Sequence, residues 1–384
     1  MKKNRTLHSI AAISSAVILG FFVLLTGCNN GTSGPGNNTG NGNQYAEFLN
    51  GVCHITTGGR FILAGEHEGQ VLVEATANDV VELVLNGLTL HNPNGSAVFA
   101  PGSQRVEVVL ADGTVNTITD GSHTNDAVNA AIYIQQGLVI SGKGTLKITT
   151  DGHAIRSAGA VTVNEGSLII TATGKGITAN GSVLIAGGDI QVIDSDEGIE
   201  GLNVTIAGGN IDIFARDDGI NARDPGGTSN PNIYIRFTGG NTHVHVEGDD
   251  VDGIDSNGDN FLEGGTLLVS GPSSRMASAI DLDGTFFVTG GSLVTAGSVQ
   301  SVSPQSTQPF LSVSFSQRLP ANTNIEIRNA GGSVLLHYIS KSSFSASGFT
   351  SPSFVIGDTY SLFISGRKVE DITLNNIITS IGGR

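Results

Sequence analysis

A short acidic phrase that returns along the chain constrains the fold more than any other feature. Residues 194–200 read DSDEGIE, residues 216–221 read RDDGIN, and residues 249–255 read DDVDGID. Each copy joins carboxylates to a Gly and an Ile, and Gly198 precedes Gly219 by 21 residues. Such a period is typical of folds in which each repeat stacks on the previous one. We therefore expect the acidic groups to form a column on one side of the molecule.

Weaker copies of the phrase extend the repeat in both directions. From Ala97 to Ala279 the steps between the small residues are 21 to 26 residues long, apart from two steps of 34, which indicate inserted loops. Two further sets of short apolar strands follow the same period, and Asn86–Gly87 is expected to be a turn. Three short strands per period, with tight turns and no helical periodicity, predict an all-β parallel β-helix of about 21–26 residues per coil.

The repeat disappears at about Ser303, which suggests a division of the chain. We assign residues 45–302 to the β-helix and residues 303–384 to a C-terminal cap made of a small antiparallel β-sheet. The array needs a cap because no coil buries its apolar face alone. A second separate domain is the alternative. The predicted strands of the cap are 310–315, 324–328, 333–338, 353–355 and 360–364.

The first residues resemble an export signal. Three basic residues precede the apolar run Ile10–Leu25, and LTGC at residues 25–28 is similar to a bacterial lipoprotein cleavage site. This resemblance implies a signal peptide at 1–27, lipidation of Cys28 and a flexible Gly/Asn-rich linker at 28–44. The protein would then be an exported lipoprotein, anchored at the cell surface on the outer membrane or the outer face of the cytoplasmic membrane. A transmembrane anchor is the alternative.

The net charge of the chain limits the kinds of molecule that it can bind. The net charge of −15 falls to about −18 once the three basic residues of the signal are removed. Such a surface repels nucleic acid and anionic lipid, so we expect no nucleic-acid partner and membrane contact only through the lipid anchor. It suits divalent cations. With Cys28 lipidated only Cys53 is left, so disulfides do not hold the fold, and we expect Cys53 to be a small buried residue.

The acidic column predicts a metal site. Glu200, Asn221, Asp255 and Asp281 each follow the small residue of their copy by two positions, so they point outward beside an inward Ile. Stacked carboxylates repel one another, and calcium, which takes six to eight oxygen ligands, would relieve that repulsion. The run DSNGD at residues 255–259 adds oxygens at alternate positions. The alternative is that these Asp residues only make turns.

The phrases DDGIN at 217–221, DGIDSNG at 252–258 and SPQSTQP at 303–309, with the Gly-Gly strand starts, make residues 48–366 resemble bacterial carbohydrate-binding domain lipoproteins. That resemblance implies a polysaccharide-lyase-like right-handed parallel β-helix that holds calcium and binds plant-type polysaccharide, either acidic sugars such as polygalacturonate or cellulose. With the alternate oxygens included, the candidate calcium ligands are Asp194, Asp196, Glu197, Glu200, Asp217, Asp218, Asn221, Asp249, Asp250, Asp252, Asp255, Asn257 and Asp259.

Three functions remain open. Calcium-dependent binding of an acidic polysaccharide is the first, since a uronate carboxylate could complete the ion's oxygen shell. The second is a lyase with Lys175 or Arg156 as the base. The third is a structural adhesin stiffened by calcium. The chain has no Trp.

Other candidate residues have simpler interpretations. Tyr133, Tyr234 and Phe99 are expected to be core or coil-stacking residues rather than sugar platforms. His243 and His245 alternate on one strand and are expected to be a surface pair, because two His without a third ligand are weak evidence for a metal.

Overall fold

The computed structural model describes residues 42–102, 105–226, 232–271 and 278–382. The expected signal peptide, Cys28 and most of the linker therefore lie outside the described residues. The described chain is all-β, with 33 strands and one short 3-10 helix, Asp126–Val128. Within these ranges no helix has the length and apolar character needed to span a membrane.

Twenty-six strands precede residue 300. In chain order they are β1 (Asn43–Tyr45), β2 (Val52–Ile55), β3 (Gly59–Glu68), β4 (Gln70–Val73), β5 (Val80–Asn92), β6 (Val98–Ala100), β7 (Arg105–Leu110), β8 (Val115–Asp120), β9 (Ala130–Ile134), β10 (Gly137–Gly142), β11 (Thr145–Thr150), β12 (His153–Ser157), β13 (Ala160–Val163), β14 (Ser167–Ala172), β15 (Ile177–Ala179), β16 (Ser182–Ile185), β17 (Asp189–Asp194), β18 (Ile199–Gly201), β19 (Asn203–Ile206), β20 (Asn210–Ala215), β21 (Ile220–Ala222), β22 (Tyr234–Val246), β23 (Ile254–Ser256), β24 (Asp259–Ser270), β25 (Phe286–Val288) and β26 (Ser292–Ala296).

Seven strands follow. They are β27 (Phe310–Leu319), β28 (Asn324–Arg328), β29 (Val334–Ile339), β30 (Phe344–Thr350), β31 (Thr359–Ile364), β32 (Arg367–Thr373) and β33 (Ile378–Ile381).

The strands before residue 300 pair in parallel with those of the next pass of the chain. A nine-stranded sheet follows the order β2-β4-β6-β9-β12-β15-β18-β21-β23, and most other strands belong to a 20-stranded sheet. One apolar core joins the two sheets. It includes Ile177 and Ile199 from the nine-stranded sheet, Val183 and Val204 from the large sheet, and the buried side chain of Cys53. The expected burial of Cys53 is thus confirmed.

The predicted architecture, a right-handed parallel β-helix of about 21–26 residues per coil, is wrong. The parallel strands of the large sheet form a closed barrel of 12 strands instead. The predicted separation into three strand sets per coil also fails. The four long strands β3, β5, β22 and β24 run through expected turns and so place two of the three sets in one sheet.

Glycines explain why those expected turns do not end the strands. Gly87, of the predicted Asn86–Gly87 turn, lies inside β5, and the pairing of β3 and β22 shifts register close to Gly65 and Gly240. All three have positive φ angles, between 74° and 85°. Only Gly adopts these angles without strain, so the strand bends and continues.

The C-terminal strands contain the predicted antiparallel sheet, in the order β29-β28-β31-β32, with a second apolar core that includes Ile325 and Leu362. The predicted strand at 353–355 is wrong, because these residues lie outside the strands. Strand β30 was not predicted, since its sequence FSASGFT lacks apolar alternation. It forms because β26 and β27 both pair with it and Gly348 lies under Phe310.

Close contact between passes explains the Gly of each acidic phrase. A Cβ atom added to Gly219 would lie 2.2 Å from Val244 Cγ1 and 2.5 Å from the carbonyl oxygen of Gly253. The equivalent Gly198 and Gly253 face similar obstacles on the pass that follows each of them.

We predict that Gly219→Ala lowers the free energy of unfolding by about 1–3 kcal/mol, the usual cost of overpacking a filled core. Urea unfolding would measure the change. Gly137→Ala is the control, because its added Cβ would meet only the Ala160 carbonyl oxygen at 3.7 Å. Equal stability of the two variants would contradict the contact argument.

Candidate functional site

The acidic phrases lie side by side because the nine-stranded sheet pairs their Ile residues directly. Ile199 lies opposite Ile220, and Ile220 lies opposite Ile254. The three side chains are buried in the core. The predicted equivalence of the three phrases is therefore confirmed, and residues on either side of the Gly-Ile pair fall into two rows.

These rows are defined by position. The post-isoleucine row consists of Arg156, Thr178, Glu200, Asn221, Asp255 and Asp281. The pre-glycine row consists of His153, Lys175, Glu197, Asp218, Asp252 and Ser278. The post-isoleucine row changes from Arg156 at its N-terminal end to Asp255 and Asp281 at its C-terminal end, and the pre-glycine row carries Lys175 before Glu197, Asp218 and Asp252.

The middle of the rows is neutralised by the protein itself. Lys175 Nζ donates to Glu197 Oε1 at 2.8 Å and also to Glu200, which in turn accepts from Arg223. Thr178 Oγ1 donates to Glu200 Oε1 at 2.9 Å. The two Glu side chains are each only 6% exposed. The protein's own cations thus already occupy the place where the sequence suggested a first calcium site.

The two carboxyl groups respond differently to this environment. Burial, followed by repulsion from Glu200, raises the pKa of Glu197 to about 8. Burial alone would also raise the pKa of Glu200, but Lys175 and Arg223 outweigh it and lower that pKa to about 2. Glu200 is therefore the more acidic member of the pair.

The C-terminal end of the rows concentrates carboxylates. Asp252, Asp255 and Asp281 each contribute one carboxylate oxygen to a group whose atoms all lie within 4.8 Å of one another. On the preceding pass, Asp218 Oδ1 accepts from the Asp252 backbone N at 2.8 Å, and Asp218 Oδ2 accepts from Asn221 Nδ2 at 3.1 Å. Among the described residues, which leave out 272–277, no Lys or Arg forms an ion pair with these four Asp residues. We call Asp218, Asn221, Asp252, Asp255 and Asp281 the acidic cluster.

Burial and mutual repulsion make ionisation of this cluster unfavourable. Burial is the main cause that raises the pKa of Asp218 and of Asp252 to about 7. Burial, with repulsion from Asp252 and Asp281, raises the pKa of Asp255 to about 6. Asn221 is 5% exposed, and its Oδ1 has no hydrogen-bond partner among the described residues. The cluster therefore offers half-buried carboxylates and one buried amide oxygen, and none of them has a positive partner among the described residues.

The remaining candidate ligands lie elsewhere. Asp194 pairs with Arg216 at 3.1 Å, and Asp196 follows it in an exposed position. Asp217 Oδ atoms lie near Asp196 and Asp250, and repulsion from these two adds to burial in raising the pKa of Asp217.

The candidates at the end of the series are also outside the acidic cluster. Asp249 and Asp250 are exposed. Asn257 donates to Asp283 at 3.1 Å, and Asp259 accepts from the Thr285 backbone N at 2.8 Å. Both contacts join residues on successive passes of the chain, so they stabilise the stacking of one pass on the next.

Asp281 is the one member of the carboxylate trio absent from the candidate ligands. It follows a weaker phrase, SAID, whose acidic residue comes only after the Ile. The sequence analysis already placed Asp281 two residues after its small residue, and that spacing puts it directly after Asp255 in the post-isoleucine row.

The candidate lyase bases are engaged in other contacts. Lys175 Nζ donates to both Glu197 and Glu200. Arg156 donates to the Asp126 carbonyl oxygen at 2.8 Å. Both side chains are held by contacts within the protein, so the geometry does not favour the lyase hypothesis.

The aromatic candidates form the expected stacking contacts, whereas the two histidines are less exposed than a surface pair would be. Tyr133 is buried with its ring centroid 5.6 Å from that of Phe99 on the neighbouring pass, and Tyr234 packs edge-on against Phe261 at 6.3 Å. These are coil-stacking contacts. His243 and His245 are half-buried on the same face of β22, and among the described residues neither belongs to a group of three metal-type ligands.

Removal of the Lys175 ammonium should lower the stability of the folded protein. In Lys175→Met we expect the free energy of unfolding at pH 7 to fall by on the order of 3 kcal/mol, because Glu197 and Glu200 lose their shared partner. Adding Glu197→Gln should recover part of that loss. The control is Arg105→Met, whose pair with Glu107 is exposed and should change stability by no more than about 1 kcal/mol. Similar losses in the two single variants would contradict the assignment.

The acidic cluster should also set a pH dependence when divalent ions are chelated. Groups with raised pKa values bind more protons in the folded than in the unfolded state, so their contribution to stability falls as the pH rises from about 4 to about 7. We therefore expect the double variant Asp252→Asn/Asp255→Asn to melt at a higher temperature than the wild type in EDTA, by a margin that grows from pH 5 to pH 8.

Comparing variant with wild type at each pH cancels the contributions of the histidines. Glu165→Gln, an exposed change away from the rows, serves as the control and should show no growing margin. A margin that stays constant with pH would show that the cluster is not electrostatically strained.

Comparisons with known proteins agree with one another in part. A curated protein of Acetivibrio thermocellus, described as a carbohydrate-binding domain-containing protein, is 28% identical over 104 residues, which cover 25% of this chain and 36% of that protein. The chain thus matches about a third of this relative's length. A solved structure, the gadolinium derivative of the polysaccharide lyase-like protein from C. thermocellum, is 22% identical with a TM-score of 0.48, covering 64% of this chain and 95% of the other.

The family model gives the broadest match. It is described as carbohydrate-binding domain-containing protein and matches residues 50–300, which is 251 of the 384 residues and includes the whole acidic cluster. On this match, the chain belongs to the family of carbohydrate-binding domain-containing proteins.

Proposed function

We propose that the protein is a calcium-dependent carbohydrate-binding protein in which the acidic cluster holds the ion and the ion contacts an anionic polysaccharide. Membership of the family supports carbohydrate as the ligand. The proposal of a calcium site rests on the convergence of oxygens from Asp252, Asp255 and Asp281, which lie within 4.8 Å of one another.

The chemistry of the cluster suits a hard divalent cation. All of its side-chain donors are oxygens except the amide nitrogen of Asn221, and calcium prefers carboxylate and amide oxygens over the nitrogen and sulfur ligands typical of zinc. Asp252, Asp255 and Asp281 would hold the ion, and the unpartnered Oδ1 of Asn221 is a further donor on the preceding pass. A bound cation would remove the repulsion that raises the pKa values of the Asp residues.

The amino-acid side chains leave part of the ion's shell open. Three or four protein ligands are fewer than the six to eight oxygens that calcium takes, so water or a ligand must supply the rest. A uronate carboxylate in a polysaccharide such as polygalacturonate fits that role, because it brings oxygens and a negative charge. Without the ion the same sugar would meet only repulsion from the cluster and from the net charge of −15.

We also propose that the protein works at the cell surface as an exported lipoprotein. The LTGC sequence that ends at Cys28 supports this location. A Gly/Asn-rich linker between the lipid and the folded chain would allow the binding face to reach an insoluble polymer. Metabolic labelling with a palmitate analogue, compared between the wild type and Cys28→Ala, tests it; labelling that survives the substitution would contradict the anchor.

Calcium uptake and glycan binding should fail together when the cluster is altered. We expect Asp252→Asn/Asp255→Asn to weaken calcium binding in calorimetry at least about tenfold, since each lost charge-assisted contact contributes about 1.5–3 kcal/mol. Binding to immobilised polygalacturonate should require calcium in the wild type and disappear in this variant.

Glu165→Gln is again the matched control and should keep both properties. Calcium binding of unchanged strength in the double variant would contradict the assigned ligands. Polygalacturonate binding that persists in EDTA would contradict the bridging role of the ion even if calcium binds.

A further inference from the structure

A groove on the large sheet carries a second set of sugar-type contacts. Its volume is about 530 Å³, and it crosses β14, β17, β20, β22 and β24. None of the residues that line it belongs to the acidic cluster, which lies on the nine-stranded sheet and its edge. Two rows of side chains in register form the groove, one through Asn210 and one through Asp212.

The first row is a hydrogen-bonded ladder. Asn210 Nδ2 donates to Asp189 Oδ1 at 2.8 Å, and Asn241 Nδ2 donates to Asn210 Oδ1 at 3.0 Å. All three side chains are exposed. A side-chain amide has two N–H donors and two acceptor sites, so each Asn retains groups that can bond to a ligand while the ladder fixes its orientation.

The second row has a polar centre between two apolar ends. Along it lie Ile169, Gln191, Asp212, His243 and Leu268, each opposite the next in the parallel register. The polar centre can bond to sugar hydroxyls, while the two apolar ends can pack against the C–H faces of sugar rings. The row is long enough for an oligosaccharide, because four strand spacings of about 4.8 Å make about 19 Å.

The C-terminal part of the chain holds one wall in place. The Tyr338 hydroxyl of β29 bonds to His243 Nε2 at 3.0 Å and to the buried Ser270 Oγ at 2.6 Å, while Asp212 lies 3.5 Å from His243 Nδ1. His243 is therefore fixed between two partners. A groove whose polar groups are already oriented loses less entropy when a ligand binds.

The charge of the groove selects the ligand. Asp189 and Asp212 are its acidic residues, and no Lys or Arg is among the described residues that line it. Two carboxylates repel a uronate but accept hydrogen bonds from sugar hydroxyls, and such charge-assisted bonds are stronger than neutral ones. The groove thus favours an uncharged sugar chain, in contrast to the acidic cluster once it holds a cation.

We propose that this groove is a separate binding site for a neutral linear polysaccharide, and that it works without calcium. The site rests on the carbohydrate-binding part of the proposed function and not on its calcium-binding part. The sugar chain lies across the five strands, with its hydroxyls on the Asp189, Asn210 and Asn241 ladder and its C–H faces on Ile169 and Leu268.

Calorimetry with uncharged hexasaccharides tests the site. Cellohexaose, xylohexaose and mannohexaose are titrated into the full chain in EDTA and again in calcium. At least one should bind equally in both buffers, and Asn210→Ala/Asn241→Ala should weaken that binding at least about tenfold. Asp212→Ala, an exposed change that leaves the ladder intact, should weaken it as well.

The controls separate this site from the acidic cluster. Thr205→Ala lies on β19 of the same sheet outside the groove and should leave hexasaccharide binding unchanged. Asp252→Asn/Asp255→Asn should also retain it, while the groove variants should retain calcium-dependent binding of polygalacturonate, which shows that they are folded.

Two results would overturn the groove and leave the calcium proposal intact. One is that none of the three hexasaccharides binds while polygalacturonate does. The other is that a hexasaccharide binds but neither the ladder variant nor Asp212→Ala weakens it. Hexasaccharide binding that needs calcium and disappears in Asp252→Asn/Asp255→Asn would also overturn it, because both sugars would then share one site.

Discussion

In-register pairing of parallel strands is the interaction on which the rest of this molecule depends. It places each residue directly beside its counterpart on the next pass, about 4.8 Å away. For Ile199, Ile220 and Ile254 this builds an apolar column inside the core. For the residues two positions before and one position after each Ile it builds columns of charge. The same geometry that stabilises the core therefore forces like charges together.

The protein resolves that conflict in two ways along the same rows. At Glu197 and Glu200 the chain supplies its own cations, Lys175 and Arg223, and those charges need nothing from solvent. At Asp252 and Asp255 no described Lys or Arg pairs with the carboxylates, so nothing in the described chain offsets their mutual repulsion. The contrast explains why a metal is expected at one end of the rows only. It also separates residues that share a sequence motif into a structural pair and a candidate binding site.

The two proposed sites, the acidic cluster and the groove, would suit polysaccharides of different charge. The cluster, with a cation, suits an anionic chain, whereas the groove suits a neutral one because Asp189 and Asp212 line it without a basic partner. The two lie on different sheets, so one protein could contact both kinds of polymer at once. Simultaneous contact would raise the apparent affinity for a material that contains both without any new contact, provided that both polymers are within reach.

The sequence by itself determined the repeat, the all-β class, the parallel pairing of the acidic phrases and the antiparallel C-terminal sheet. These features follow from the local periodicity of apolar and polar residues, which can be read from the sequence of a single strand. The sequence did not predict the architecture, because the neighbouring pass decides whether Gly65 or Gly240 ends a strand or only bends it. The closed barrel depends on the pairing of all the passes together. The site was likewise decided by tertiary structure. Thirteen candidate ligands looked alike in sequence, but only contacts with Lys175, Arg223 and Arg216 showed which carboxylates already had a positive partner. Asp281 completed the trio only because the fold placed it beside Asp255.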